Sequence, residues 1–320
     1  MNLEEIYAPV REDLKLVEHK LEEIARSEIP LLSQLLEYAL LTGGKRVRPA
    51  LTLLCGKFKN YDLEALVPMA AAAEVLHIGT LVHDDIIDNS HLRRGKPTVH
   101  RKWGENCALL LGDHLFARAG DLAATTENMR IIRRFARTLM TISGGEIRQA
   151  GVNFDLATAR NDYYNWIADK TACLFVMAAE CGSVLSGCND EQVEALKDYA
   201  LNFGLAFQVI DDILDFVGDE TALGKPVGSD LNEGAITLPS IIYAEKNRDD
   251  GIISRILVDR DRSQVPAAVE KVKRSGAIDD CRDIARQYYR IACASLNKLP
   301  DCDSRRSLEG LVTFVIERDR

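Results

Sequence analysis

The sequence predicts an all-α protein, with helices packed around a central cavity. The first observation behind this fold class is that apolar residues recur at spacings of three and four along nearly all of the 320 residues. The second is that stretches of alternating polar and apolar residues between turns are absent, so a sheet is not expected. Because no linker or internal repeat interrupts the pattern, we predict a single domain over residues 1–320.

Short polar breaks divide this pattern into separate helices. The first well-defined helix begins at Leu63, with apolar residues at Leu66, Val67, Ala70 and Ala73. Later helices are predicted at Asn106–Ala123, Glu127–Ala150, Asp162–Leu185, Asp190–Asp215 and Ala277–Leu296.

Composition and charge exclude several classes of function. Hydrophobic residues make up 47% and charged residues 28% of the chain, as in soluble globular proteins. The net charge of -9 argues against a general nucleic-acid-binding protein, which needs a basic surface. A local cluster of Arg and Lys can still oppose this global sign and bind an anionic substrate.

The sequence also predicts a cytoplasmic location. The longest apolar run, Met69–Leu76, is short and is interrupted by Glu74, so no membrane span is expected. The acidic N-terminal residues do not resemble a signal peptide. Eight scattered cysteines without a C-x-x-C pair predict reduced thiols.

The most informative feature is a D-D-x-x-D motif that occurs twice, at residues 84–88 and 211–215. On a helix, positions i and i+4 share a face and i+1 lies about 100° around, so one turn presents three carboxylates to a common volume. Extending the apolar stripe of each helix predicts that Asp84 and Asp88 face the interior. In the second motif, the same extension predicts an inward Asp215 together with Asp211 or Asp212.

Three like charges on a buried face repel one another and lose hydration, so they require cations. Ligands that are all oxygen suit Mg²⁺, which is usually shared between carboxylates and substrate phosphates. The alternative is that the acidic triplets are solvated surface, but two copies, both embedded in Val, Ile and Leu, favour the metal interpretation.

Basic residues supply binding groups for phosphate. The turn at residues 42–49 carries three cations, and another group follows the first acidic motif at residues 91–97. Lys170 and Lys225 add two more near the predicted cavity. Taken singly, each is more often a solvated charge than a ligand. Together with the acids they predict two polyphosphate sites, one bridged by metal and one formed by Arg and Lys directly.

These motifs, in this order, resemble the trans-isoprenyl diphosphate synthases (polyprenyl synthetases) over nearly the whole chain. The resemblance implies an isoprenoid-synthase-type helical bundle, usually a homodimer, with its cavity between the two acidic helices. The matching segments are Gly43–Pro49, Glu74 with His77, His83–Asp88, Arg93–Gly95, Gly112–Asp113, Lys170–Thr171, Phe207–Asp215 and Gly224–Leu231.

The resemblance implies condensation of isopentenyl diphosphate with dimethylallyl, geranyl or farnesyl diphosphate. Mg²⁺ assists ionisation of the allylic diphosphate, the isopentenyl double bond adds head to tail, and the departing diphosphate takes the proton. Negative charge on the leaving group is stabilised by fixed cations, and an apolar pocket keeps water from the allylic cation. The small residues Gly79 and Thr80, discussed below, predict a product that is geranylgeranyl diphosphate or longer.

Individual roles also follow from the resemblance. Three Mg²⁺ ions would bind Asp84, Asp85, Asp88, Asp211 and, less directly, Asp215, and the catalytic set would add Asp212, Lys170 and Lys225. The allylic diphosphate would contact Arg93, Lys170, Thr171, Gln208 and Lys225. Isopentenyl diphosphate would contact Lys45, Arg48, His77 and Arg94, with Arg318 and Arg320 closing over it. Ala235 stands where the family usually has a lysine, which puts one phosphate contact in doubt.

Small residues before the first motif bear on product length. Gly79 and Thr80, with Leu76 one turn deeper, would leave a channel open for the growing chain. Alternatively, Gly79 permits close helix packing, and a bulky residue elsewhere forms the floor. Candidates for that floor are Phe116, Phe135 and Met140.

Two other classes of function stay open. A terpene cyclase also uses a metal-bound diphosphate in an all-α fold, but it lacks a second diphosphate site. A non-catalytic subunit of a heteromeric synthase would typically have lost acidic residues, whereas both motifs are complete here.

Overall fold

Helices make up about three quarters of the structure, a computed structural model that describes residues 2–151, 155–218 and 227–318. Over these residues the all-α prediction is confirmed, apart from one hairpin in which Leu92–Arg93 pairs antiparallel with Lys96–Pro97. The helices of the N-terminal half are α1 (Leu3–Ile6), α2 (Arg11–Ile24), α3 (Pro30–Leu40), α4 (Val47–Gly56), α5 (Leu63–Ile87), α6 (Val99–Trp103), α7 (Glu105–Ala124) and α8 (Met129–Gly151). Those that follow are α9 (Ala159–Ile167), α10 (Cys173–Leu185), α11 (Asp190–Val217), α12 (Ser229–Glu233), α13 (Leu238–Lys246), α14 (Ile252–Leu257), α15 (Val265–Arg274), α16 (Ala277–Leu296) and α17 (Asp303–Ile316).

Predicted and observed helices agree within three residues at their ends, with one internal difference. The helix predicted at Asp162–Leu185 is observed as α9 and α10, joined by a π-helical segment at Ala168–Ala172. Such segments interrupt the regular hydrogen-bond ladder and are frequent at functional sites. Lys170 and Thr171, both singled out above, lie within it.

The chain divides into two units. The first comprises Met1–Met140, Leu174–Ala200 and Ser295–Leu311, and it contains the first acidic motif. The second comprises Thr141–Cys173, Leu201–Ala294 and Val312–Arg320, and it contains the second motif. The single domain over residues 1–320 stays a prediction.

Helix α5 forms the core of the first unit. Asp62 caps its start by accepting a hydrogen bond from the backbone N–H of Glu64. Alanine, the best helix former, then fills residues 70–73, all fully buried. By length and composition α5 is apolar enough to cross a membrane, and 72% of its most apolar stretch is buried within the protein. Core helices of globular proteins also pass this test, so the expectation that the chain has no membrane span stays a prediction.

Helix α11 contributes a clear inner face to the second unit. Val209 and Phe216 are fully buried and lie seven residues apart, which places them on one side of the helix. Asp212 and Asp215 are each only 1% exposed. The prediction that part of the second motif points inward is confirmed. All eight cysteines are free thiols, as predicted.

Candidate active site

The first acidic motif lies at the C-terminal end of α5, where Asp88 is the cap residue. Asp85 is buried, Asp84 is half-buried and Asp88 is exposed. The prediction that Asp84 and Asp88 are the inward pair was therefore wrong. Because α5 is apolar on all sides, a single stripe did not define its inner face.

A salt bridge holds the buried carboxylate of this motif. Arg93, in the hairpin that follows α5, places Nε and Nη2 each 2.8 Å from Asp85 Oδ1. Burial raises the pKa of Asp85, and the charge of Arg93 opposes that rise. Thus Arg93, predicted to contact the allylic diphosphate, lies directly beside the acidic motif.

Arginines surround His77 on α5. Burial lowers its pKa well below the usual value, and the charges of Arg48, Arg94, Arg93 and Arg46 lower it further. The structure therefore brings together three of the four residues predicted to bind isopentenyl diphosphate. We call Arg48, His77 and Arg94 the basic cluster. A group of cations around a neutral imidazole is suited to an anion.

Arg46 has a structural role that the sequence pattern did not reveal. It has a left-handed backbone (φ 48°) before α4, and its side chain is buried. Its guanidinium contacts Glu18 at 2.6 Å and Glu74 at 2.9 Å, and it donates to the carbonyl of Leu40 at 3.0 Å. The guanidinium of Arg46 is thereby fully engaged in contacts within the protein.

Further contacts fix the turn that carries Lys45. The Tyr7 hydroxyl donates to the Lys45 carbonyl at 2.9 Å, and Arg94 Nη1 donates to the Gly43 carbonyl. The side chain of Lys45 is exposed, whereas Arg48 lies 4.4 Å from the ring centroid of Phe175. The turn is thus held through its backbone while its two predicted ligands differ in exposure.

A chain of hydrogen bonds orients the second acidic motif. Thr171 donates to Gln208 Oε1 at 2.7 Å, and Gln208 Nε2 donates to Asp212 Oδ1 at 2.9 Å. The Tyr163 hydroxyl donates to Asp212 Oδ2 at 2.5 Å. Burial raises the pKa of Asp212 well above its usual value, the negative charge of Asp230 adds to the rise, and these hydrogen bonds oppose it.

The two remaining carboxylates of this motif have different partners. Ser229 donates to Asp215 Oδ1 at 2.7 Å, which ties α11 to α12. Asp211 is the exposed member, and Arg318 Nη2 donates to its Oδ1. The predicted role of Arg318 at the isopentenyl diphosphate site stays a prediction.

Lys170 extends from the π-helical segment. Its Nζ lies 2.8 Å from Glu146 Oε1 on α8 and 5.6 Å from the ring centroid of Trp166. Lys225 and Arg320, which the sequence also predicts as ligands, lie outside the described residues.

The donor set fits Mg²⁺. Among the described residues no three His, Cys, Asp or Glu side chains form a preassembled metal cluster. Mg²⁺ does not require one, since it is commonly held by one or two carboxylates, water and substrate phosphates. Both motifs also lie in the last turns of helices, where the helix dipole disfavours negative charge and a bound cation would relieve it.

Gly79 lies against a phenyl ring. A Cβ atom at this position would come within 2.8 Å of Phe116 Cε1 on α7. Leu76 is fully buried, and the Thr80 hydroxyl donates to the His77 carbonyl at 2.7 Å. The space beside Gly79 is thus filled by Phe116, as the close-packing alternative expects.

The ring of Phe116 has a second neighbour. It packs edge-to-face against His83, with centroids 5.1 Å apart. The His83 ring in turn lies over Gly112, where a Cβ atom would come within 2.1 Å of Nε2. Position 112 therefore accepts only glycine without a shift of His83.

Ala235 forms part of the wall of a cavity of about 350 Å³ in the second unit. Arg148, Arg260 and Trp166 line the same cavity. Two arginines therefore lie around the position where the resembling family usually has a lysine.

We predict that His77 makes the protein less stable in mild acid. Because its folded-state pKa lies well below 6.5, the unfolded chain binds a proton in acid that the folded chain does not. The contribution of His77 to the free energy of unfolding is therefore fully present at pH 7. It falls as the pH drops through 6.5, by at most about 1.4 kcal/mol per pH unit. In urea unfolding at pH 7 and pH 5, His77→Gln should show a smaller difference than wild type.

The exposed His114 provides the control. His114→Gln should keep the wild-type pH dependence. Equal pH dependence in His77→Gln and wild type would contradict the assignment to His77.

The sequence interpretation missed three residues that contact predicted site residues or the basic turn. Tyr163 holds Asp212, Glu146 pairs with Lys170, and Arg46 anchors the basic turn. Only Arg46 carried a signal, since it stands among the three cations of the turn at residues 42–49. The other two partners come from separate helices, and pairing between helices leaves no local pattern.

Comparison with known proteins gave consistent matches. The family model described as Polyprenyl synthetase matches residues 29–273. The chain is 35% identical over 319 residues to heptaprenyl diphosphate synthase component 2 of Geobacillus stearothermophilus, covering all of both chains. It is 34% identical over 323 residues to octaprenyl diphosphate synthase of Escherichia coli, again covering all of both.

A solved structure is similar over its whole length. It is a polyprenyl synthase from Caulobacter crescentus in complex with calcium and isoprenyl diphosphate. The TM-score is 0.95 at 35% identity, covering 100% of this chain and 98% of that chain.

Proposed function

The chain belongs to the polyprenyl synthetase family, and from this premise we propose that it condenses isopentenyl diphosphate with an allylic diphosphate. The observation that carries the proposal is the basic cluster around His77. A cyclase needs one diphosphate site, which binds through metal ions. An elongating synthase needs a second diphosphate site, which binds through basic side chains without metal. Arg48, Arg94 and the neutral His77 have the chemistry of that second site.

Isopentenyl diphosphate binds to the basic cluster in this proposal. Arg48 and Arg94 present guanidinium forks to its phosphate oxygens, and Lys45 adds an exposed ammonium. His77, neutral at physiological pH, donates a hydrogen bond without adding charge. Arg46 holds the turn in place through its contacts with Glu18 and Glu74.

The allylic diphosphate binds among the acidic motifs. When bound, Mg²⁺ neutralises the diphosphate and the carboxylates and stabilises charge on the leaving group. Asp84, Asp85, Asp88 and Asp211 would hold the ions, with Asp215 as a less direct ligand. Lys170 and Arg93 contact phosphate oxygens, and Thr171 and Gln208 keep Asp212 oriented. Lys225 completes the predicted set.

The residues then serve three steps. The allylic carbon–oxygen bond breaks, and Lys170 and Arg93 stabilise the negative charge on the departing diphosphate. The isopentenyl double bond attacks the allylic carbon, forming a carbon–carbon bond and leaving a cation on the isopentenyl part. The diphosphate then takes a proton from the carbon next to this cation. Loss of that proton forms the new double bond.

Arg260 and Arg148 offset the missing lysine at Ala235. Both line the cavity that Ala235 borders. Arg148 already contacts Asp169 at 2.9 Å, so Arg260 is the better placed to provide the positive charge.

We propose a long-chain product, geranylgeranyl diphosphate or longer, with Phe116 as the residue that limits its length. The relatives named above are a heptaprenyl and an octaprenyl synthase. Phe116, rather than Gly79, occupies the space beside α5 one turn before the first acidic motif.

Phe116→Ala should lengthen the main product by about one or two isoprene units, because removing the ring opens space beside Gly79. The measurement is reversed-phase chromatography of the dephosphorylated prenols. Phe58→Ala, at a buried phenylalanine that follows α4, is the matched control and should leave the distribution unchanged. An unchanged distribution in Phe116→Ala would remove Phe116 as the limiting residue.

A homodimer is the assembly we propose, on the basis of exposed apolar side chains. Leu109 and Leu110 on α7 are 51% and 67% exposed, and Met140 on α8 is 64% exposed. The second candidate is a heteromeric synthase, which the name of the Geobacillus relative favours. Light scattering of the purified chain, together with its activity alone, separates the two. In either case we propose a cytoplasmic enzyme.

The function is tested by incubating the purified chain with Mg²⁺, labelled isopentenyl diphosphate and each of three primers. Dimethylallyl, geranyl and farnesyl diphosphates are supplied separately, and the labelled products are measured. Incorporation of label into longer prenols supports elongation. Products formed from the primer without label would indicate a cyclase, and no reaction would favour a subunit that needs a partner.

A further inference from the structure

Arg318, which follows α17, already neutralises one of the acidic residues. Its Nη2 donates to Asp211 Oδ1 and, at 3.1 Å, to the backbone carbonyl of Phe207. The guanidinium carbon lies 4.3 Å from the Phe207 ring centroid, and the side chain is only 9% exposed. A cation of the protein is thus placed against a carboxylate that the proposed function assigns to Mg²⁺.

This contact has features of an exchangeable one. Arg318 Nε is buried without a hydrogen-bond partner among the residues the structure describes, and an unsatisfied buried donor is unfavourable. Asp211 is 44% exposed, so its ion pair with Arg318 is partly screened by water. The stacking on Phe207 and the bond to its carbonyl stabilise the docked side chain. The docked position of Arg318 is therefore favoured, but the side chain can leave Asp211.

Mg²⁺ and the guanidinium would occupy the same place. Both require close contact with the oxygens of Asp211, and two cations at that distance repel each other strongly. A divalent ion carries twice the charge of the guanidinium and gains further ligands from a diphosphate. Binding of the metal therefore favours release of Arg318 from Asp211.

We propose that Arg318 is an internal counter-ion of Asp211 and competes with Mg²⁺ for its carboxylate. The inference rests on the proposed function, which makes Asp211 a metal ligand. In the metal-free protein, Arg318 keeps Asp211 paired. As diphosphate and metal arrive, Arg318 leaves. The apparent Mg²⁺ affinity is then the intrinsic affinity multiplied by the fraction of molecules in which Arg318 is undocked.

Calorimetric titration of Mg²⁺ in the presence of inorganic pyrophosphate tests the competition. Arg318→Met keeps the apolar stem and removes the charge, and it should tighten the apparent Mg²⁺ dissociation constant by roughly 3- to 30-fold. Arg318→Lys should give a smaller change. Arg306→Met is the matched control, since Arg306 is an exposed arginine of α17 that pairs with Asp301 and Asp303. It should behave as wild type.

Labelling of Arg318 with phenylglyoxal, measured by mass spectrometry, gives a second readout. Mg²⁺ with pyrophosphate should accelerate this labelling, and Asp211→Asn should accelerate it without metal. An unchanged Mg²⁺ dissociation constant in Arg318→Met, or slower labelling with Mg²⁺, overturns the inference. If wild type binds Mg²⁺ and pyrophosphate while these differences are absent, the inference fails alone. If wild type binds neither, it fails together with the proposed function.

Discussion

Asp84→Asn is expected to lower kcat/KM for elongation by about a thousandfold, because it removes the charge of a proposed Mg²⁺ ligand from the diphosphate site. Little of this loss should come from unfolding. Asp84 is half-buried in the last turn of α5, where the helix dipole already disfavours a negative charge. Steady-state kinetics with saturating Mg²⁺, paired with urea unfolding, separates the two effects.

Asp121→Asn on α7 is the control for this change. Asp121 is an exposed carboxylate whose partner is Arg118, and it has no place in the proposed site. It should retain wild-type kinetics. If Asp84→Asn kept wild-type kcat/KM as well, Asp84 would have no role in metal binding.

Arg46→Ala should cost about 3–5 kcal/mol of folding free energy, since it leaves the carboxylate of Glu74 buried without its charged partner. That is a large share of the stability of a typical domain. The measurement is urea unfolding. In the same variant, the KM for isopentenyl diphosphate should rise more than the KM for the allylic primer. The reason is that the turn carrying Lys45 and Arg48 loses its anchor.

Two further variants separate the causes of this loss. Arg46→Gly removes the same ion pairs but suits a left-handed backbone, so it should be more stable than Arg46→Ala by about 1 kcal/mol. Arg46→Ala combined with Glu74→Gln should recover part of the stability, because no buried charge is left unpaired. Arg26→Ala, at an exposed position, is the control. A loss as small as in Arg26→Ala would show that the Arg46 network does not stabilise the protein.

Sequence patterns predicted most of the helices because apolar periodicity is a local property that survives in the folded chain. They also predicted an inward Asp215 together with Asp211 or Asp212, and the structure buries Asp212 and Asp215. On α5 the same reasoning chose Asp84 and Asp88, whereas Asp85 is the buried residue. A helix that is apolar all round has no inner face to extend, so only its neighbours determine which carboxylate points inward.

The roles of individual basic residues were harder to predict. Arg46 and Arg48 are two positions apart in one turn, yet Arg46 is bonded to Glu18 and Glu74 while Arg48 lies beside His77. Their difference arises from a left-handed residue and from carboxylates distant in the chain. Gly79 presented a similar problem, because a small residue is compatible with an open channel and with close packing against Phe116.

The π-helical segment at Ala168–Ala172 has a consequence for how this stretch of chain is aligned and engineered. One additional residue in a turn shifts everything beyond it by about 100° relative to a regular helix. A helical wheel drawn through residues 159–185 therefore misassigns one half of the stretch. Deleting a single residue there would bring the halves back into phase and turn Lys170 away from Glu146, although nearly every side chain would be retained.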